Sequence, residues 1–438
     1  MRKESNQELS VEEVKLEEQI VDSIGDNIEK IEPNIPKKSY KKIVTISSIL
    51  FITCVGVLGY LANQGLLTPK SLHERYQIND SGAIQAIRSD FIQEIGVSHE
   101  YKGLTFTVDH IIVDEKRLMI LYTIKSNRKK GFLNNIYYEI SDGEGKRLPL
   151  SQSYPLLNMD LSKHKTYQDH LSFVFNESKI PERIQLDLNL QTSESDTVTE
   201  PEDSMKEDKT DNSYEWHVSI PVDHKPFQDK KIVYDLQKSC MINNQKIHID
   251  GLTIYPTIAV VSMRYDPQNT KKIFELVDFK IMDGSKAFTR GVDGLLSAGS
   301  DHNLNMYFES NYFETDNKKL SLTGTGIRAL DKDKLKVIVD IDNKKVIQSP
   351  NNQLTLDDIN SNYITLRHKI DGLQFDMKFM DGEGNMHQTN SQGYSTDSEG
   401  YSNLFYLPKN KKLMSPLTLT IISYPTITEH PFEVKILE

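Results

Sequence analysis

The feature that most constrains this chain is an uncharged, predominantly apolar run over residues 43–62. An α-helix rises roughly 1.5 Å per residue, so a run of this length covers about 30 Å, the thickness of the hydrocarbon layer of a bilayer. We therefore predict one transmembrane helix here, in contact with the lipid bilayer. A cleaved secretory signal has a shorter apolar region and small residues at its exit, which this run lacks.

Basic residues beside the run predict its orientation. Four lysines lie within the six residues before it, whereas Lys70 and Arg75 are the first basic residues after it. Because basic residues concentrate on the cytoplasmic side of a span, residues 1–42 are expected in the cytoplasm. We place the protein in the cell membrane as a single-pass protein, with a stalk over residues 63–80 and extracellular domains after it.

The cytoplasmic tail carries a helix signal. Ser10 and Glu13 have the spacing of a capping box, and an apolar stripe follows at helical intervals. An isolated helix of this length is marginal in water, so the stripe is expected to bind a partner surface. A solvated, partly disordered leader and a helix on the membrane surface are the alternatives. The tail stripe consists of Val14, Val21, Ile24, Ile28 and Ile31.

Beyond the stalk the sequence predicts a mainly β protein. Residues 81–95 have apolar positions at helical spacing, with Gly96 as the expected cap. After them, polar and apolar residues alternate with period two, the pattern of half-buried antiparallel strands. Asp-Gly pairs at Asp142, Asp283 and Asp381 indicate hairpin turns. The predicted fold class is tandem antiparallel β-sandwich-like domains outside, one transmembrane helix and a short cytoplasmic helix.

The spacing of these signals indicates duplication. One strand begins at Phe106, 36 residues before Asp142, and another begins at Ile247, 36 residues before Asp283. Equal spacing at two places is typical of repeated units. We predict three sandwich-like units of roughly 100 residues each, and two domains with the last two units fused are the alternative. Their expected limits are residues 81–225, 226–345 and 346–438, with closing strands centred near Val218, Val337 and Val434.

An acidic stretch interrupts the first unit. Residues 193–213 contain eight carboxylates, two lysines and no aromatic residue. Such a segment cannot bury enough apolar surface to fold, so it is expected to be a flexible loop between two strands. A solvated spacer and a protease-sensitive site are its two candidate roles.

Composition and motifs exclude several function classes. The net charge of −11, with no strongly basic block in the outer portion, argues against nucleic acid as a partner. Cys54 lies in the apolar run and Cys240 is the other cysteine, so no disulfide framework is expected. No zinc-protease, nucleophile-elbow or phosphate-loop motif occurs, so we predict no enzyme activity, cofactor or metal. Gly324-Thr-Gly326 lacks the third glycine of a dinucleotide loop and is expected to form a turn or bulge.

Three segments carry a family resemblance. Residues 85–95, 103–108 and 114–124 resemble a family of Gram-positive single-pass membrane proteins, often described as negative effectors of extracytoplasmic-function sigma factors. Residues 246–284 resemble the second β domain that commonly follows in that family. The resemblance covers structural positions and brings no catalytic residue with it.

The resemblance implies an anti-sigma-like role. The tail would restrain a cytoplasmic sigma factor, and the outer domains would respond to envelope conditions. Residues 1–42 lack the histidine and Cys-x-x-Cys signature of zinc-type anti-sigma proteins, so inhibition would rest on the single tail helix. The alternative is an extracellular protein that binds or supports the cell envelope and has no transcriptional role.

The lysines before the span generate a prediction about topology. A reporter that is active only in the cytoplasm should function when fused before Arg2 and should be inactive when fused after Glu438, because basic residues are retained on the inner side. Reporter activity in whole cells measures this. The reverse pattern would overturn the assigned orientation.

Overall fold

The computed structural model describes residues 70–128, 131–153, 159–163, 165–176, 180–193, 213–314, 319–360, 362–408, 411 and 413–437. Within these ranges, no helix has both the length and the apolar character needed to cross a bilayer. The predicted span, the tail stripe, residues 63–69 of the stalk and most of the acidic loop lie outside the described residues. The chain from Ser71 to Glu438 forms one compact unit.

Two short helices precede the sheets. Helix α1 spans Leu72–Arg75 and helix α2 spans Ser81–Arg88. Asp80 is the N-cap of α2, since its side chain accepts a hydrogen bond from the backbone N–H of Ala83.

The prediction of a helix over residues 81–95 is therefore correct in its first half and wrong in its second half. Asp90 has a left-handed backbone, with φ of 59°, which stops the helix. Strand pairing takes over at Ile92, and Gly96 lies at a β-bulge instead of a helix end. Apolar residues at helical spacing continue to Ile95, so this spacing did not predict that the strand begins at Ile92.

The first β unit follows α2 and consists of two antiparallel sheets around one core. The strand orders are β1-β2-β3-β7-β5 and β6-β4-β8-β9. The strands are β1 (Ile92–Tyr101), β2 (Leu104–Val113), β3 (Arg117–Ser126), β4 (Phe132–Asp142), β5 (Leu150–Gln152), β6 (Met159–Asp160), β7 (Thr166–Phe175), β8 (Arg183–Ser193) and β9 (Ser213–Pro221).

The second β unit has a core of its own and a similar plan. Its sheets have the orders β10-β11-β12-β17-β16 and β13-β18-β14-β15, and the last strand of the chain, β28, also pairs with β18. The strands are β10 (Ile232–Ile242), β11 (Gln245–Ile254), β12 (Ala259–Tyr265), β13 (Lys271–Val277), β14 (Lys280–Asp283), β15 (Lys286–Thr289), β16 (Ser297–Ser300), β17 (Asn303–Phe308), β18 (Leu320–Asp331) and β28 (Ile427–Lys435).

The third β unit lies between β18 and β28 in the chain and has a third core. Its sheets have the orders β20-β19-β27-β23-β24 and β21-β22-β26-β25. The strands are β19 (Lys336–Asp340), β20 (Lys345–Gln348), β21 (Thr355–Ile359), β22 (Tyr363–His368), β23 (Gln374–Met380), β24 (Met386–Gln388), β25 (Ser391–Asp397), β26 (Gly400–Tyr406) and β27 (Leu417–Ser423).

Two strands belong to different units from those expected. Val337, expected to close the second unit, is buried in the third core, whereas Val434, expected in the third unit, is buried in the second core. The third unit is thus an insertion between the last two strands of the second sandwich. The alternating pattern predicts the strands of Val337 and Val434 correctly. Alternation does not encode which sheet a strand joins.

The first two units share details that the duplication hypothesis did not specify. β8 pairs with β9 as β18 pairs with β28, so β28 takes the place of β9 in the second unit. The second strand of each unit has a bulge at the same place, between Val108 and His110 in β2 and between Ile249 and Gly251 in β11. Because bulges are specific local features, their shared position supports duplication.

The expected turns are confirmed. Asp283 begins the turn between the paired strands β14 and β15, and Asp381 begins the turn between β23 and β24. Asp142 ends β4 in a similar turn. At Asp142 and Asp381 one carboxylate oxygen accepts two backbone N–H hydrogen bonds of 2.9–3.0 Å from its own turn. These local bonds explain why the Asp-Gly pair signals a turn.

The bulge expected at Gly324 and Gly326 is also confirmed, since the register of β18 against β28 shifts between them. A Cβ on Gly324 would lie 2.5 Å from the ring of Phe432, and a Cβ on Gly326 would lie 2.3 Å from the carbonyl oxygen of Thr428. The absence of a side chain at these positions lets β28 approach β18 closely.

This close approach generates a prediction for Gly326→Ala. The added Cβ meets backbone atoms, so overpacking of about 1–3 kcal/mol should weaken the docking of β28. We expect amide hydrogen exchange in β28 to be roughly tenfold faster or more, measured by mass spectrometry on residues 71–438. Gly393→Ala in β25 is the matched control, because its Cβ would have ordinary contacts of 3.5 Å or more. Unchanged exchange in β28 would contradict the role of Gly326.

Candidate functional site

A buried cluster of charged side chains lies where α2, the first β unit and the second β unit meet. Arg117 stands at the start of β3, and its side chain is completely shielded from solvent. Charged groups of this kind are rarely buried without partners. We call this cluster the junction network. It consists of Asp80, Asp114, Arg117, His170, Thr257 and Asp293.

The guanidinium of Arg117 bonds three parts of the chain at once. Its Nη1 donates to Asp80 at 2.6 Å and to the carbonyl oxygen of Thr257 at 3.0 Å. Its Nη2 donates to Asp293 of the second unit, and its Nε donates to Ser172 on β7 at 3.0 Å. The planar fork of arginine suits this arrangement, because it presents several donors in fixed directions.

Asp80 connects the helix to the network. One oxygen accepts from the N–H of Ala83 at 3.0 Å, and the other accepts from Arg117. Burial raises the pKa of Asp80, while the positive charge of Arg117 opposes that shift. The start of α2 is therefore held by the same carboxylate that neutralises Arg117.

Asp114 makes the second link between the two β units. It lies in the β2–β3 turn, where one oxygen accepts from the backbone N–H groups of Lys116 and Arg117, both at 2.8 Å. Its other oxygen accepts from the N–H and hydroxyl of Thr257, at 2.8 and 2.6 Å. Burial raises the pKa of Asp114, and these four hydrogen bonds favour its ionised form.

His170 on β7 adds a titratable group. Its Nδ1 lies 2.8 Å from the carbonyl oxygen of Tyr76, and its Nε2 lies 3.2 Å from Asp293. Burial disfavours the charged ring, but the bonds to Asp169 and Asp293 outweigh burial and raise the pKa of His170 to about 10. Burial likewise opposes ionisation of Asp293, yet Arg117 and His170 hold its pKa well below the usual range.

Apolar packing supports the network from the side of the helices. Tyr76 and Ile78, between α1 and α2, are each only 2% exposed. They form a separate small core with Ala83 and with side chains of β2 and β3. A Cβ on Gly82 would lie 2.9 Å from the carbonyl oxygen of Thr257, so α2 also approaches the second unit closely. The segment after the predicted span is thus packed against both units.

This arrangement is suited to holding parts of the chain together. In residues 70–438, excluding the undescribed gaps, no group of three or more His, Cys, Asp or Glu side chains could hold a metal ion. A buried ion pair contributes little net stability compared with an apolar replacement, but loss of one partner leaves an uncompensated charge and costs roughly 3–5 kcal/mol. The network therefore favours one arrangement of α2 and the two units.

The sequence pointed to a different site. The tail stripe, the predicted partner-binding residues, lies outside the described residues and stays a prediction. Asp114 and Arg117 lie within a segment that carried the family resemblance, and Asp80 precedes a helical pattern as N-caps do. Thr257 and Asp293 gave no signal, because they meet Arg117 from 140 and 176 positions away in the chain.

Comparisons with known proteins give two domain families of unknown function. The domain of unknown function DUF4179 matches residues 36–126, and the family of unknown function DUF5643 matches residues 231–343. No curated protein gives a significant match. A solved structure, described as that of the conserved domain protein from Bacillus anthracis, aligns with a TM-score of 0.38 and 14% identity, over 59% of this chain and 84% of that chain. Arg117 lies in the first matched segment and Asp293 in the second, so the junction network joins both.

The raised pKa of His170 generates a prediction about pH. The folded protein binds a proton here that the unfolded chain releases near pH 6.5, so the free energy of unfolding should fall as pH rises from about 6.5 to about 10. The slope should be at most about 1.4 kcal/mol per pH unit. Urea unfolding followed by the fluorescence of Trp216, which is buried in the first core, measures this.

The control compares two histidine substitutions. His170→Gln should remove the additional slope, whereas His430→Gln, at an exposed position on β28, should retain it. Equal slopes in the original chain and in His170→Gln would contradict the assigned charge of His170.

Proposed function

We propose that this chain is a membrane-anchored regulatory protein, an anti-sigma-like negative effector of an extracytoplasmic-function sigma factor. In this proposal the tail stripe binds the sigma factor in the cytoplasm, and the β units outside respond to envelope conditions. One observation carries the proposal: the segment that follows the predicted span, residues 71–88, is built into the junction of two β units.

A signal would reach the membrane through the segment that links the predicted span to the first β unit. A passive tether needs only a polar, solvated linker between the span and the first domain. Here, instead, Tyr76 and Ile78 are buried and Asp80 is bonded to Arg117. A change in the relative position of the two units would break contacts of Arg117 with Thr257 and Asp293. That change would alter how residues 71–88 are held.

The tail supplies the second part of the proposal. Its apolar stripe lies on a single predicted helix, which is too short to be stable alone and is stabilised by docking. Each fully buried side chain of the stripe would contribute about 1.5–3 kcal/mol to binding. The family resemblance supports a sigma factor as the partner. The alternative remains an extracellular envelope-binding protein whose tail only orients the anchor.

The test uses transcription from the promoter of the restrained sigma factor. Ile24→Asp combined with Ile28→Asp places two charges in an apolar interface, so binding should fall at least about a hundredfold at roughly 1.4 kcal/mol per decade. Promoter output should rise at normal protein level. Glu17→Ala, on the polar side of the helix, should change output little. Unchanged output with the double substitution would refute the anti-sigma proposal and favour the envelope-binding alternative.

A second arm of this experiment addresses the junction network. Asp293→Asn keeps the shape of the side chain but removes the charge that bonds Arg117 and His170. If the junction transmits the signal, promoter output should change by about fivefold or more, the usual size of coupling between sites. Asp397→Asn is the matched control. Asp397 forms an exposed ion pair with Arg367 in the third unit. Equal output from both variants would show that the junction does not transmit.

A further inference from the structure

A polar face with one exposed aromatic ring lies on the outside of the first β unit. It is formed by the outward side chains of β4, β8 and β9, which pair in that order. Cross-strand pairing aligns these side chains in two consecutive rows. The first row is Tyr137, Asn189 and Glu215, and the second row is Glu139, Asp187 and His217.

A shallow cleft of about 340 Å³ lies over these two rows, with Arg147 at its border. Tyr137 is 51% exposed although it stands in the middle of a strand, so its ring is available to a ligand. Beside it, Arg147 lies 3.6 Å from Glu139.

The side chains around Tyr137 are planar and polar. His217 Nδ1 lies 2.6 Å from Asp187, and Asn189 Nδ2 lies 3.5 Å from Glu215. The contact between His217 and Asp187 orients the imidazole and engages one carboxylate oxygen of Asp187. The second oxygen of Asp187 is left for a ligand. Carboxylate, amide and imidazole groups of this kind donate to and accept from hydroxyls in fixed directions.

These features select the chemistry of the ligand. An aromatic ring offers a flat apolar surface, and the surrounding groups offer directional hydrogen bonds, which together complement a sugar ring with its C–H face and its hydroxyls. The three carboxylates, Glu139, Asp187 and Glu215, would repel phosphates and acidic peptides. A single exposed aromatic side chain is too small an apolar area for a protein or lipid surface.

We propose that this face binds a neutral oligosaccharide. The size of the face indicates a chain of sugars instead of a free monosaccharide. Three strands span about 10 Å at their usual separation, and two rows along a strand span about 7 Å. This area accommodates two linked sugar rings, one stacked on Tyr137 and the next over Asp187 and His217.

The inference is independent of the proposed regulatory function. It concerns only the outer face of the first unit and would hold whether or not the tail binds a sigma factor. If both are correct, the oligosaccharide is a natural candidate for the envelope signal. The binding experiment below measures the sugar alone, so its failure leaves the promoter experiment unaffected.

The test uses the full chain in lipid nanodiscs, titrated with a tetramer of N-acetylglucosamine and with the monomer by calorimetry. We expect saturable binding that is tighter for the tetramer. Tyr137→Ala should weaken it about tenfold, the loss expected for one aromatic stacking contact. Tyr137→Phe keeps the ring and should retain binding within about threefold, because an exposed hydroxyl contributes little.

The matched control is Tyr394→Ala in the third unit, at a tyrosine that is 49% exposed and therefore comparable with Tyr137. This variant should bind like the original chain. Saturation-transfer NMR should also show the C–H protons of the sugar receiving magnetisation from the protein, and Tyr137→Ala should reduce that transfer. No binding of the tetramer, or equal loss with Tyr137→Ala and Tyr394→Ala, would overturn the proposal.

Discussion

The charge of Arg117 is the constraint on which the rest of the described structure depends. A fully buried guanidinium must be neutralised and hydrogen-bonded, and its partners come from three places: the start of α2 at Asp80, the first sheet at Ser172 and the second unit at Asp293. If α2 or the second unit moved away, a buried charged group would lose its ion-pair partner. The helix after the predicted span and the two units are therefore favoured in one arrangement.

A second constraint closes the second sandwich. β18 is completed by β28, although the whole third unit lies between them in the chain. Gly324 and Gly326 permit this pairing, because any side chain there would collide with β28. The third unit is consequently fastened at both ends to one strand pair. Its position in the chain and its own core are typical of an inserted domain.

Signals in the sequence predicted the structure correctly where they are local. The Asp-Gly turns are confirmed because their geometry depends on hydrogen bonds within five residues, as at Asp142 and Asp381. The mainly β class is confirmed because alternation reflects which face of a strand is buried. The helix before β1 was extended too far, since apolar spacing in residues 91–95 fits a helix as well as the strand that pairing with β2 produces.

By itself, the sequence determined the mainly β class, the turns and the buried face of many strands, because each depends on neighbouring residues. The tertiary structure alone decided that Val434 completes the second core while Val337 belongs to the third. It also decided that Arg117 meets Thr257 and Asp293, both of which lie far from Arg117 in the chain. Such contacts depend on the free energy of the whole fold: a buried charge takes whichever partners the packed units bring within hydrogen-bond distance, and no local pattern records them.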